Sequence, residues 1–255
     1  MKRVMRVRWS GIVVSAMITL AGLVAVGRPA PSAAFTIVVP NDRATTEGDS
    51  NNVIPFGEDR SRSRRVQQVF AASQFAALAE PGRITHLAFR PDAGVGEPFS
   101  STIADIQINL STTTRAPDGL SLTFADNLGA DDTIVYGRGP LALSSADTGG
   151  PPRTFDIVIP LQIPFLYDPT QGNLLLDVRN FSGGPTTVFD AESGVGDSVD
   201  RVFSRQGGVN DSAALIRDSF SIGLVVQFTF DVTAPGSLVL FAAGLGLVAW
   251  RRKGS

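Results

Sequence analysis

The stretch DAESGVGDSVD, residues 190–200, places Asp190, Glu192, Asp197 and Asp200 around two glycines. Hard carboxylate oxygens on a flexible loop suit a calcium ion. These four residues are the candidate calcium ligands, although their spacing is not that of an EF-hand. GADDT, residues 129–133, is a poorer grouping of the same kind. In both places the competing expectation is a set of solvated loop acids. The chain has one histidine, His86, and no cysteine. Imidazole clusters, thiolate metal sites, thiolate catalysis and disulfides are therefore all excluded.

His86 lies in RITHLAFRP, residues 83–91, which reads as an extended segment. A packed or partly exposed strand residue is the expected role, with a Ser/His/Asp base as the alternative. Glycoside hydrolysis needs two positioned carboxylates. Glu47, Glu58, Glu80, Glu97 and Glu192 are available beside many aspartates, but most fall in loop-like stretches where solubility accounts for them. Sugar-binding sandwiches commonly stack their ligand on exposed Trp or Tyr. Trp9 and Trp250 sit in the terminal segments, which leaves the body Tyr136 and Tyr167. No Gly-rich turn is followed by Lys and a helix, so no phosphate loop is present. Asn109, Asn180 and Asn210 begin N-x-S triplets, a pattern common by chance.

The elements that must hold these residues read as short strands. IADIQINLST, residues 103–112, alternates, with Ile106, Ile108 and Leu110 on one side. TFDIVIP places Phe155, Ile157 and Ile159 together, and NLLLDVRN is apolar enough for a central strand. SIGLVVQFTFDV, residues 221–232, reads as one long closing strand with Val226, Phe228 and Phe230 in alternation. APDG, GRGP, TGGPP, DPTQGN and FSGGP supply turn chemistry between strands. FAASQFAALAE, residues 70–80, is ambiguous between helix and strand. Residues 40–65 are polar and aperiodic and predict an exposed, loop-rich arm or long loops, including a solvated arginine cluster at residues 60–65. The fold class expected is all-β: an antiparallel two-sheet jelly-roll-like sandwich of roughly eight to ten strands.

Charge is distributed unevenly. Residues 35–233 carry 14 basic and 24 acidic side chains, a net charge of −10, while the ends hold only cations. An acidic body repels phosphate backbones, so nucleic acid is not an expected partner. The first 34 residues pair a basic start with an apolar run and a small-residue exit, the order of a secretory signal peptide. Cleavage after Ala34, in the Ser32-Ala33-Ala34 exit, is expected; an uncleaved signal anchor is the alternative. At the other end a 13-residue apolar run, residues 238–250, precedes Arg251, Arg252 and Lys253. A helix over it is about 20 Å long, short for a hydrocarbon core of about 30 Å. The trailing cations mark the cytoplasmic side of a stop-transfer segment; a buried helix of the domain is the alternative.

This tail resembles a PEP-CTERM sorting signal of exported Gram-negative bacterial proteins. The apolar run with its GLGL at residues 244–247 matches the helix of such signals, and Arg251-Arg252-Lys253 matches their basic cluster. Ala234-Pro235-Gly236 stands in the place of Pro-Glu-Pro. The resemblance implies a signal peptidase and an exosortase as partners, insertion in the inner membrane through a C-terminal transmembrane helix, and a destination in the envelope or an exopolysaccharide matrix. VQQVFAASQF, FDIVI and GNLLLDVRNFSGG are also similar to exported β-sandwich proteins bearing such tails. The expected organisation is a signal peptide and its helix at 1–34, a polar arm at 35–65, a β-sandwich at 66–233 and a sorting or anchor segment at 234–255. The expected function is that of a non-catalytic surface- or matrix-associated protein; the alternative is an envelope-tethered glycan-binding module or glycan-active hydrolase.

Overall fold

Alternation sets the burial of the strands. In the computed structural model, which describes residues 33–57, 63–217 and 221–232, Ile106, Ile108 and Leu110 are fully buried and the residues between them are half-exposed. The strands among the described residues are β1 (Ala33–Val39), β2 (Ser50–Asn52), β3 (Arg64–Phe70), β4 (Gly82–Phe89), β5 (Phe99–Thr113), β6 (Thr133–Ser145), β7 (Ile157–Tyr167), β8 (Asn173–Asn180), β9 (Phe189–Ser193), β10 (Val199–Phe203), β11 (Ile216–Arg217), β12 (Ile222–Leu224) and β13 (Val226–Val232). The chain is all-β, and every strand pair is antiparallel.

Three hydrogen-bonded sheets form. The orders are β1-β13-β4-β7, β11-β10-β3-β8-β5-β6 and β12-β9-β2. The first two face one another across the main core. Phe228 of β13 meets Phe70 of β3 edge-on, with ring centroids 5.0 Å apart. Phe75, from a short 3-10 turn at Ala72–Phe75, packs against Phe228, Phe230 and Tyr167. That turn resolves the ambiguous segment 70–80: its N-terminal residue ends β3 and no helix longer than one turn follows. A second apolar cluster, containing Val69, Leu120, Phe124, Leu175 and Val202, covers the opposite face of the larger sheet. Strands β3 and β8 are therefore buried on both faces, which explains the near-continuous apolar reading of NLLLDVRN.

Several sequence expectations change. The described part of residues 35–65 is rich in loops and turns but packs on the body rather than standing off as an exposed arm. Residues 33–39 form β1 at a sheet edge, and Ile54 and Phe56 are buried in the core clusters. The apolar Phe35, Ile37 and Val39 make this possible, because their period of two places all three on one side of β1. Arg64 and Arg65 are buried on β3 rather than solvated: Arg65 pairs with Asp177 and lies over the Phe124 ring. Arg60 and Arg62 lie outside the described residues.

The long closing strand divides at Val225. Its N–H donates to the Asp190 carbonyl (3.1 Å), and the Asp190 N–H donates to the Arg90 carbonyl (3.1 Å). Strand β9 thus wedges between the β12–β13 line and the end of β4. This fork creates the third sheet, and with it more strands than the eight to ten expected. Among the described residues, no helix is long and apolar enough to cross a membrane. The signal segment, with Ser32, and the tail, with Pro235, Gly236, Arg251, Arg252 and Lys253, lie outside the described residues; Ala34 lies in β1.

Candidate functional site

The four acids of residues 190–200 do not converge on one point. The 190–200 segment leaves the small sheet through β9 and enters the large one through β10; Asp190 joins a different acid cluster, while Glu192 and Asp197 line one cleft. Asp190 and Glu192 alternate with the core residues Phe189 and Ala191 and face the segment before β2. There Asp190 Oδ2 accepts a 2.7 Å hydrogen bond from Arg90 Nε, and Asp190 Oδ1 accepts from the Gly48 N–H. Arg90 also donates to the carbonyls of Arg43 (2.9 Å) and Thr46 (2.6 Å). Glu192 is held by both Nε and Nη2 of Arg43.

Glu47 and Asp92 complete the cluster at Asp190. One carboxylate oxygen from each of the three lies within 4.8 Å of the others. Asp190 is pushed up to about 6, chiefly by burial; the Arg90 guanidinium pulls against that shift and Glu47 adds to it. The donor set is of the kind calcium uses; four of its six oxygens accept hydrogen bonds, and Glu47 Oε2 is buried without one. Both Asp190 oxygens are engaged, Asp92 Oδ1 accepts from the N–H groups of Gly94 and Val95, and Glu47 Oε1 accepts from the Ala93 N–H. Calcium takes roughly six to eight oxygens, and Arg90 already supplies a cation to the cluster. The residues fit an internal clasp better than a calcium cage.

Asp197 and Asp200 lie on the other side of the crossover. Asp197 Oδ1 accepts from the Val199 N–H at 2.9 Å. Burial pushes Asp197 up to about 7, and the charges of Asp118, Glu192 and Asp200 add to the shift. Ser221 Oγ donates to Asp118 Oδ1 (2.6 Å) and lies 3.2 Å from Asp200 Oδ1. Asp118 and Ser221 are the two non-glycine residues with φ in the left-handed region among the described residues, at 62° and 52°. Asp197 also lines a cleft of about 330 Å³ with Asp42, Gln74, Glu192 and Ser198. The cleft is polar and contains a carboxyl that burial holds well above the usual carboxylate range, flanked by two other acids.

The remaining candidates separate cleanly. His86 is half-exposed on β4, with Nδ1 2.9 Å from Thr85 Oγ1. Asp131 of GADDT accepts from the Thr112 N–H and Asp132 from Asn109 Nδ2, so these two acids brace loops. Tyr167 is fully buried, its hydroxyl donating to the Gly172 carbonyl, and the Tyr136 hydroxyl is taken by the Pro140 carbonyl. Neither tyrosine presents a free stacking face with an open hydroxyl. Glu47, Arg90 and Asp118 were not singled out as one group by their sequence context, because their side-chain partners include residues 44 to 103 positions away.

The fold and these sites define an all-β, antiparallel protein with a buried acid–arginine clasp and an acidic cleft on either side of one crossover. Comparison with protein-family models and with curated proteins finds no match to the chain, so no residue role is carried over from a relative.

Proposed function

We propose that this chain is an exported, non-catalytic protein of the cell surface or extracellular matrix, built as a jelly-roll-like two-layer sandwich. It is sorted or retained through the apolar run and basic cluster at its C-terminal end. The observation that carries this reading is the register of the first and last strands in the described chain: Ala33 stands opposite Val232 in the β1–β13 pair. Both apolar end segments therefore connect to one corner of the body, and an anchor at either end leaves the core undisturbed. The clasp at Arg90 and Asp190 supports the non-catalytic part, since its carboxylates are engaged with the protein itself.

A reporter that is active only after export, fused behind residue 232, tests the topology. Activity outside the cytosol is expected, as is release of the body from the membrane fraction when residues 238–253 are deleted. A body that stays in the cytosol overturns the reading.

The acidic cleft favours a second reading, an envelope-tethered glycan-binding or glycan-active module. Its carboxyl near 7 has the poise of a general acid. Binding on a polysaccharide array, with turnover lost in Asp197→Asn, would establish it; no binding and no turnover leave the first reading standing.

A further inference from the structure

Sheet edges are templates for further strands unless something blocks them. Among the described residues, nearly every edge of this fold is blocked. Strand β7 carries Pro160 and Pro164, β6 carries Pro140 and register shifts, and β2, β11 and β12 are only two or three residues long. Strand β1 is the exception. Its sequence AAFTIVV has no charge and no proline, and its register against β13 is unbroken over seven residues.

The open edge can be assigned group by group. Thr85 Oγ1 donates to the Thr229 carbonyl, so Thr229 turns its main chain toward β4, and the alternate residues Phe228 and Phe230 turn theirs toward β1. Their partners Ile37 and Phe35 are thus the bonded residues of β1, while Ala34, Thr36 and Val38 point their main-chain groups away from the sheet. Asn41 Nδ2 donating to the Val38 carbonyl agrees with this assignment. The side chains of Ala34 and Thr36 are exposed and that of Val38 is half-exposed, so among the described residues no bulky side chain covers Ala34 or Thr36, and Asn41 reaches only the Val38 end of the edge.

We infer that β1 is a self-association edge, to which a second copy of this chain adds its own β1 in antiparallel register centred on Thr36. The occupant follows from complementarity. An added strand must itself be uncharged, free of proline and unpaired on one side, and β1 is the strand of the described fold that meets all three conditions. A two-fold axis at Thr36 sets Thr36 opposite Thr36 and Ala34 opposite Val38, with no like charges facing. The two four-stranded sheets then become one continuous sheet. If the leader is removed after Ala34, the Thr36–Thr36 and Phe35–Ile37 pairs remain and the Ala34–Val38 pairs are lost. The inference stands on the edge geometry and does not depend on sorting.

The chain lacks cysteine, so Thr36→Cys in the full chain provides a clean probe. Across a bonded antiparallel pair the Cα atoms lie about 5.5 Å apart, within disulfide range. Mild oxidation should give a covalent dimer from T36C at several times the yield from V158C, a control on the exposed face of β7. Thr36→Lys and Thr36→Glu should each remain monomeric in sedimentation at micromolar concentrations where the unmodified chain dimerises, and mixing the two should restore the dimer. Equal cross-linking of T36C and V158C, or an unmodified chain that stays monomeric, overturns the inference. If the lysine or glutamate variant misfolds, the cysteine pair and the unmodified chain still decide the question.

Discussion

Arg90 and Asp190 form a hydrogen-bonded ion pair at 2.7 Å in which each side chain is almost wholly buried, at the fork where β9 parts β4 from β12. The guanidinium also holds the carbonyls of Arg43 and Thr46, and the carboxylate holds the Gly48 N–H. One pair of charges thus fastens the segment before β2 to the split in the sheet. Removing one partner of such a pair strands a buried charge, at a cost of about 3–5 kcal/mol. Arg90→Ala should lower stability on that scale in urea unfolding. An apolar double substitution, Arg90→Met with Asp190→Leu, should cost less than Arg90→Ala alone.

The acids predict how stability varies with pH. Asp197, which has no cationic partner among the described residues, has a folded value raised to about 7. Between the unfolded carboxylate range near 4 and that value, the folded state binds more protons than the unfolded one. Its contribution is therefore present below about pH 4 and is lost as pH rises through 7. Asp147, held down to about 2 by the Thr154 hydroxyl and N–H, acts in the opposite sense, and its contribution is lost as pH falls from about 4 toward 2. Melting temperature should consequently be higher at pH 5 than at pH 8. Asp197→Asn keeps an acceptor for the Val199 N–H; it should raise the midpoint at pH 8 and flatten the slope between pH 5 and 8.

Gly48 shows how closely the clasp segment lies against β9. A Cβ there would collide with the Ala191 carbonyl oxygen, which is backbone and cannot rotate away. Gly48→Ala should destabilise by about 1–3 kcal/mol, the usual cost of overpacking. Gly150 has nothing within 4 Å of its added Cβ and provides the control, with Gly150→Ala close to neutral. Equal midpoints for the two variants in thermal unfolding would mean that the segment is not seated on β9.

Calcium should leave the protein unmoved. Arg90 already supplies charge to the Glu47–Asp92–Asp190 cluster, and most of its carboxylate oxygens accept hydrogen bonds. Calorimetric titration should give no binding heat, and chelator should not shift the melting curve. A calcium-dependent rise in melting temperature that disappears in Glu47→Gln would make the cluster a metal site after all.

The strands were legible in the sequence wherever one face is buried and the other wet. Ile106, Ile108 and Leu110 announce β5, and Val226, Phe228 and Phe230 announce β13, because a period of two survives in the residue pattern. The break at Val225 left no such trace. It is caused by β9 entering between strands, and a continuous apolar run reads the same whether one neighbour or two pair with it. The acids of residues 190–200 were visible as residue types, but proximity in sequence did not bring Asp190 into the same group as the other three. Alternation along β9 and the crossover to β10 turn Asp190 and Asp197 to different surroundings. Arg90 looked like the end of a strand followed by proline, and its carboxylate partner lies 100 positions later. Pairings of that span are decided by sheet topology, which no local pattern encodes.

The corner where Ala33 meets Val232 also fixes how the body yields under load. When force is applied between those two points, the seven rungs joining β1 to β13 are strained one after another rather than together. Peeling of this kind needs little force per step, and Phe35, stacked on Phe230, is drawn out early. A body pulled by both ends would open from that seam while the remaining strands kept their pairing.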